Sequence, residues 1–271
     1  METTSQKNVQ DKESKRFSTR VAISLVESRP ELIINLVEDG HVPGSRINES
    51  VRRMLREKFL LGFFDNLFVD VEAANEIVGN PLFVREGEVA QRRSYTVLTN
   101  NDDTLPSRLE DVKTKRTYVE GISEAITEAK GLKPVLSPGG VDIAILRLKC
   151  PYEPRPGGFE ALFHAGGLEF PAKEKTRLAE IFKAVPISIV DMYLDRPGAP
   201  TEIADWATAL IVNYVSSDNT SLDVAFGDAS PEAKLLFDLP RSTPAVEKGR
   251  EDVPFDTKDP LLRFGHGPRS H

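Results

Sequence analysis

Two glutamates stand in a loop rich in proline and glycine that follows a strongly apolar run. Glu153 lies in the sequence Pro-Tyr-Glu, and Glu160 lies in Gly-Gly-Phe-Glu-Ala. In a sheet of parallel strands, the loops after the strands present the functional groups. A carboxylic acid there can transfer a proton during bond cleavage if burial or a like charge raises its pKa. We therefore take Glu153 and Glu160 as candidate acid/base residues.

Other residues with reactive side chains have simpler interpretations. His164, close to the same loop, is interpreted as structural. Cys150 is the only cysteine, which excludes an intrachain disulfide, and its place at the end of an apolar run is typical of inert packing. Asp205 precedes Trp206 on a predicted amphipathic helix, where we interpret it as a helix residue beside a packed tryptophan. With four histidines, one cysteine and no ligand-like spacing, we predict no metal site and no cofactor.

Composition narrows the class of protein. The 271 residues are 39% hydrophobic and 28% charged, as in ordinary globular proteins. The net charge of −7 argues against nucleic acid as a partner, because phosphate binding needs clustered Lys and Arg. No apolar run approaches the ~18 residues that a membrane span needs, and the first twenty residues lack the apolar core of a signal peptide. These features predict a cytoplasmic protein without a membrane partner.

The periodicity of apolar residues predicts the elements that position the two glutamates. Strand-like runs alternate with amphipathic helices, which favours an α/β fold with a mainly parallel sheet sandwiched by helices. The predicted strands cover 117–122, 141–148, 186–194 and 211–215, and the clearest predicted helix covers 173–184. The predicted organisation is a disordered tail (1–19), a helical segment (20–79), a connector (80–116), an α/β sandwich (117–240) and an irregular C-terminal tail (241–271).

Five stretches, in this order, resemble glycoside hydrolase family 3. Residues 45–66 resemble the last helix of the family's catalytic barrel, and residues 94–100 with Leu105-Pro106 resemble the entry strand of its second domain. Residues 142–153 resemble a later strand and the loop that brings a carboxylic acid to the active site, and Asp195-Arg-Pro-Gly resembles the turn of the next strand. Residues 222–240 with Phe264-Gly-His-Gly resemble the closing signature of the second domain. The resemblance implies a second domain of that family and makes 20–79 a remnant of its barrel.

The resemblance also implies a chemistry that needs two carboxylates. The family uses an aspartate nucleophile on the barrel and usually a glutamate acid/base on the second domain. Retaining glycosidases place the two carboxyl groups about 5–5.5 Å apart. Fewer than fifty residues precede the barrel-like helix predicted to start near Asn48, whereas a complete barrel takes at least roughly 200. We therefore expect Glu153 or Glu160 without the nucleophile.

Three functions follow as hypotheses. The first is a β-glucosidase-type pseudoenzyme, truncated and without hydrolytic activity alone. The second is a glycosidase completed by a barrel-bearing partner chain, and the third is an enzyme of small-molecule metabolism with repurposed chemistry. The predicted partners are a carbohydrate or glycoside and either a second copy of the chain or a barrel-bearing protein.

Overall fold

The computed structural model describes residues 30–157, 161–250 and 252–267. The chain forms two compact units, Met1–Val78 and Gly79–His271. The predicted disordered tail and the candidate Glu160 lie outside the described residues.

The described part of the first unit is helical. It contains α1 (Pro30–Glu38), α2 (Gly44–Leu60) and α3 (Val71–Ile77). The second helix begins four residues before Asn48, because Pro43 supplies the extended residue that precedes it. Gly62 ends this helix, with a φ of 72° and an N–H that donates to the carbonyl of Phe59.

The second unit contains the sheet and the helices that cover it. Its strands are β1 (Thr96–Asn100), β2 (Thr117–Glu120), β3 (Ile143–Lys149), β4 (Ile187–Tyr193), β5 (Ala209–Asn213), β6 (Leu239–Pro240) and β7 (Pro260–Leu262). Its helices are α4 (Pro81–Ser94), α5 (Leu109–Lys113), α6 (Glu124–Ala129), α7 (Ala172–Ala184), α8 (Thr201–Trp206), α9 (Asp218–Phe226) and α10 (Thr243–Glu247).

Five strands form the main sheet in the order β1-β5-β4-β3-β2. The four strands from β2 to β5 run parallel, and β1 closes one edge antiparallel to β5. Because every parallel strand points the same way, the loops after β2, β3, β4 and β5 meet at one edge of the sheet. The mainly parallel sheet predicted from the apolar runs is confirmed.

Apolar side chains cover both faces of the sheet. On one face, alternate residues of the strands pack against Leu178 of α7 and Ile203 of α8. On the other face, Ile143, Ile145 and Ile189 pack against Leu222 and Phe226 of α9, together with residues of α5 and α6. The sheet is therefore sandwiched by helices, and a strand residue faces α7 or α9 according to its parity.

Three segments differ from the sequence prediction. The predicted connector contains the 14-residue helix α4, whereas its strand β1 matches the entry strand expected at 94–100. The predicted irregular tail contains α10, and its strand β7 pairs with β6. The predicted helix that carries Asp205 stops at Trp206, and Ala209 already belongs to β5. The order of α4 and of β7 depends on contacts with residues distant in sequence.

Candidate functional site

The Glu153 loop, described at residues 150–157 and 161–168, follows β3 at the carboxyl edge of the sheet. Its start is fixed to the neighbouring strand, since the N–H of Cys150 donates to the carbonyl of Tyr193 at 3.0 Å. The turn after β4 begins with Asp195 and Arg196 at the same edge. The structure therefore brings the two loops that the sequence placed after successive strands into contact.

Glu153 lies across a glycine turn of its own loop. Its backbone N–H donates to the carbonyl of Ala165 at 2.8 Å, and its Oε1 accepts from the N–H of Gly167 at 3.3 Å. Gly166 has a φ of 87°, and a Cβ on it would come within 2.3 Å of Glu153 Cδ. Only glycine fits there without moving the carboxylate, so the turn holds the position of Glu153.

Arg196 fixes the glycine turn from the neighbouring loop. Its Nη2 donates to the carbonyl oxygen of Gly166 at 2.7 Å and to that of Gly167 at 3.1 Å. Two hydrogen bonds from one guanidinium constrain both peptide groups under the carboxylate. We call Glu153, Ala165, Gly166, Gly167 and Arg196 together the Glu153 seat.

His164 lies beside the Glu153 seat, stacked on one side chain and hydrogen-bonded to another. The ring of His164 stacks on Tyr152, with centroids 3.8 Å apart and planes at 13°. His164 Nδ1 hydrogen-bonds Asp195 Oδ2. This contact orients the imidazole and occupies the carboxylate of Asp195. Sequence reasoning did not identify Asp195 and Arg196 as partners of this loop, although their place after a buried strand was a usable signal.

Cys150 is buried and Asp205 lies on a helix, as predicted, although the neighbouring Trp206 is 36% exposed. Burial, reinforced by the nearby negative charge of Asp195, raises the pKa of the Cys150 thiol to about 12. A Cβ on Gly198 would come within 2.5 Å of its Sγ, so the thiol is tightly enclosed. Asp205 is exposed on α8, and the neighbouring Trp206 packs on Phe182 with ring centroids 6.1 Å apart.

A second polar cluster lies under the same sheet edge and was not predicted. Asp191 of β4 is buried and accepts from Ser221 Oγ at 2.6 Å, Asn213 Nδ2 at 2.7 Å and the hydroxyl of Tyr95 at 3.0 Å. Arg147 Nε lies 3.4 Å from the same carboxylate. Burial raises the pKa of Asp191, against the opposing effect of these donors. Burial also raises the pKa of Tyr95.

The described residues contain no group of three or more His, Cys, Asp or Glu side chains placed to hold a metal ion. None of the helices within this described part of the chain is long and apolar enough to cross a membrane.

Comparison with known proteins identifies the ancestry of the chain. No family model matches it. Over 241 residues it is 53% identical to "Probable beta-glucosidase C" of Aspergillus flavus and 52% identical to beta-glucosidase C of Emericella nidulans, in each case over 89% of the chain. It is 32% identical over 239 residues to a periplasmic beta-glucosidase/beta-xylosidase of Dickeya chrysanthemi, over 87% of the chain. These matches cover 38%, 39% and 36% of the relatives, so the chain spans less than two fifths of their length.

Solved structures show the same fold. A beta-glucosidase from Listeria innocua in complex with gluconolactone superimposes with a TM-score of 0.62 at 16% identity, over 87% of this chain and 40% of that one. D2-BGL from Chaetomella raphigera gives a TM-score of 0.60 at 17% identity, over 87% and 44%. The class of protein is thus an α/β sandwich like those of the β-glucosidases. The chain is a partial glycoside hydrolase family 3-like protein, as its sequence motifs indicated.

Proposed function

We propose that the 271-residue chain has β-glucosidase ancestry, carries an acid/base glutamate and does not hydrolyse glycosides alone. The observation that carries this proposal is the Glu153 seat. It holds the exposed carboxylate of Glu153 on a glycine turn at the carboxyl edge of the sheet. Asp195, the carboxylate at the start of the adjacent turn, is hydrogen-bonded through Oδ2 to His164 Nδ1.

Hydrolysis of a glycoside needs a nucleophile in addition to the glutamate of the Glu153 seat. A retaining glycosidase requires a nucleophile about 5–5.5 Å from the acid/base, and both groups must face the glycosidic bond. The relatives that share the Glu153 part of this chain are more than twice its matched length. Their names record β-glucosidases, and their activity belongs to proteins of that full length. This mismatch supports inactivity of the isolated chain.

The test is release of nitrophenol from aryl β-glucoside and β-xyloside by the purified chain, with β-glucosidase C of Emericella nidulans as the positive control. We expect the chain and its Glu153→Gln and Glu160→Gln variants to match the no-enzyme rate. Turnover by the chain that one of these variants abolishes would overturn the proposal. It would mean that another carboxylate of this chain acts as the nucleophile.

A glycosidase completed by a second polypeptide is the alternative that one observation favours. In the first unit, large apolar side chains stand exposed on and after α2, including Phe59 (62%), Phe68 (84%) and Leu67 (78%). Contiguous apolar surface of this kind marks protein interfaces. Mixing the chain with the separately produced, unmatched part of the Emericella relative would then restore glucoside hydrolysis. The restored activity would disappear with the Glu153→Gln or the Glu160→Gln variant.

A further inference from the structure

A cleft of about 630 Å³ opens at the carboxyl ends of β3, β4 and β5. This volume is within the range of small-molecule sites in proteins. Its polar lining consists of Arg147, Lys149, Tyr193, Asn213, Ser216 and Asp218. None of the residues of the Glu153 seat lines it.

The strand register explains why these side chains converge. Lys149 of β3 pairs with Tyr193 of β4, and Tyr193 pairs with Asn213 of β5. One row deeper, Arg147 pairs with Asp191. Residues two apart on a strand share a face, so both rows lie on the α9 face with Ile145 and Ile189. Cys150 and Leu194, which begin the loops of the Glu153 seat, belong to the core of the opposite face.

The floor of the cleft is rigid. Arg147 donates through Nη2 to Ser216 Oγ at 2.9 Å and through Nη1 to Asp218 Oδ1, while its Nε faces the buried Asp191. Asp218 Oδ2 accepts from the N–H of Ser123 at 2.8 Å. The guanidinium and the carboxylate that face the cleft are thus held by partners on several elements, which lowers the entropic cost of binding a ligand.

The hydrogen-bonding groups of the cleft that have no partner within the protein determine which class of ligand it can bind. Among the described residues, the Lys149 ammonium and the Tyr193 hydroxyl have no hydrogen-bond partner, so they are open donors, and each oxygen of Asp218 can accept a further bond. Arg147 is paired with Asp218 and lies 3.4 Å from Asp191, so a ligand in the cleft meets the ammonium of Lys149 and the carboxylate of Asp218, one group of each sign. A hydroxyl donates and accepts at once, and the ring of Tyr193 provides an apolar face.

We propose that this cleft binds a neutral carbohydrate of one or two sugar units, at a site separate from the Glu153 seat. The sugar hydroxyls bridge Lys149 and Asp218, and the C–H face of the pyranose lies on Tyr193. The inference goes beyond the proposed function, because it does not depend on whether the chain hydrolyses glycosides.

The experiment is a titration of the ¹⁵N-labelled full chain with cellobiose, laminaribiose and glucose, followed by amide shifts and by saturation transfer to the sugar. We expect shifts centred on Lys149, Tyr193 and Ser216. Tyr193→Ala should weaken binding by about tenfold or more, because stacking on the ring is lost. Lys149→Met, which keeps the aliphatic stem, should weaken it several-fold without disturbing the fold.

Tyr152→Ala is the matched control, since it removes an aromatic ring from the Glu153 loop instead. That variant should keep the affinity for the sugar within about twofold of that of the unmodified chain. Sugar binding lost with Tyr152→Ala or Glu153→Gln but kept in both cleft variants would overturn the inference and leave the proposed function standing. Absence of sugar binding would overturn it too, as would preferential binding of glucuronate or inorganic phosphate over the neutral sugars.

Discussion

At the scale of single residues, the position of the Glu153 carboxylate depends on Gly166. The sequence singled out Glu153 because a glutamate in a Pro/Gly-rich loop after an apolar strand is a local pattern. It did not reveal the seat, because Arg196 and Asp195 reach this loop across about thirty residues of chain. Such partners become neighbours only through the parallel pairing of β3 and β4.

Gly166→Ala tests the seat, and Gly157→Ala is its control. Both glycines have positive φ, 87° and 66°, but only a Cβ at Gly166 meets Glu153. Gly157→Ala should cost only the backbone penalty of about 1–2 kcal/mol. Gly166→Ala should lower the free energy of unfolding by about 1 kcal/mol more, because the carboxylate and the turn must separate. Urea denaturation measures both, and equal losses would show that Glu153 does not rest on this turn.

At the scale of elements, the sequence predicted the strands and helices that have continuous apolar runs. It missed the elements whose order depends on contacts with residues distant in sequence. Strands β3 and β4 are dense in β-branched residues and were located to within about two residues at each end. Helix α4 lies in the predicted connector, where mixed charged residues do not indicate a helix. Its order comes from contacts such as that of Arg92 with Asp223, 131 residues away.

Asp223→Ala should detach α4 and α6 from α9. The Asp223 side chain is 9% exposed and accepts from Arg92 Nε at 2.7 Å and from Lys130 Nζ at 2.6 Å. Its removal leaves Arg92 paired only with Glu88 and Lys130 paired only with Asp228, and this loss of hydrogen bonds at two mostly buried cations costs about 1–3 kcal/mol. Glu232→Ala breaks the exposed pair with Arg93 and should cost less than about 1 kcal/mol. Amide exchange in α4 should accelerate strongly only in Asp223→Ala, and similar rates in both variants would contradict this account.

The pairing of Glu120 on β2 with Arg177 on α7 should make stability depend on acid pH. Two hydrogen bonds from Arg177, at 2.7 and 2.8 Å, lower the pKa of Glu120, although partial burial opposes them. A carboxyl with a lowered folded-state pKa stabilises the fold above its unfolded pKa, near 4.5, and this contribution fades as pH falls through the folded value. The free energy of unfolding should therefore fall less steeply from about pH 5 to pH 3 in Glu120→Gln and Arg177→Met. Slopes equal to that of the unmodified chain would rule out this pair as a source of acid sensitivity.

At the scale of the whole molecule, the sequence identified the class of protein before the structure did. The order of five motifs indicated the family, and the relatives agree over 89% of the chain. The order of the strands in the sheet and the cleft could not be predicted from the sequence, because both follow from the pairing of strands that lie far apart in the chain. Cytoplasmic placement and a barrel-like origin of residues 20–79 stay predictions.

The central claim is that this polypeptide holds an acid/base glutamate without a nucleophile. The most direct measurement is intact-mass spectrometry after incubation with an activated 2-deoxy-2-fluoro-β-glucoside, which leaves a stable glycosyl ester on the nucleophile of a retaining glycosidase. We predict that the mass of the chain does not change, while Emericella beta-glucosidase C gains one fluoroglucosyl group in the same mixture. A fluoroglucosyl group bound to a carboxylate of this chain would contradict the account.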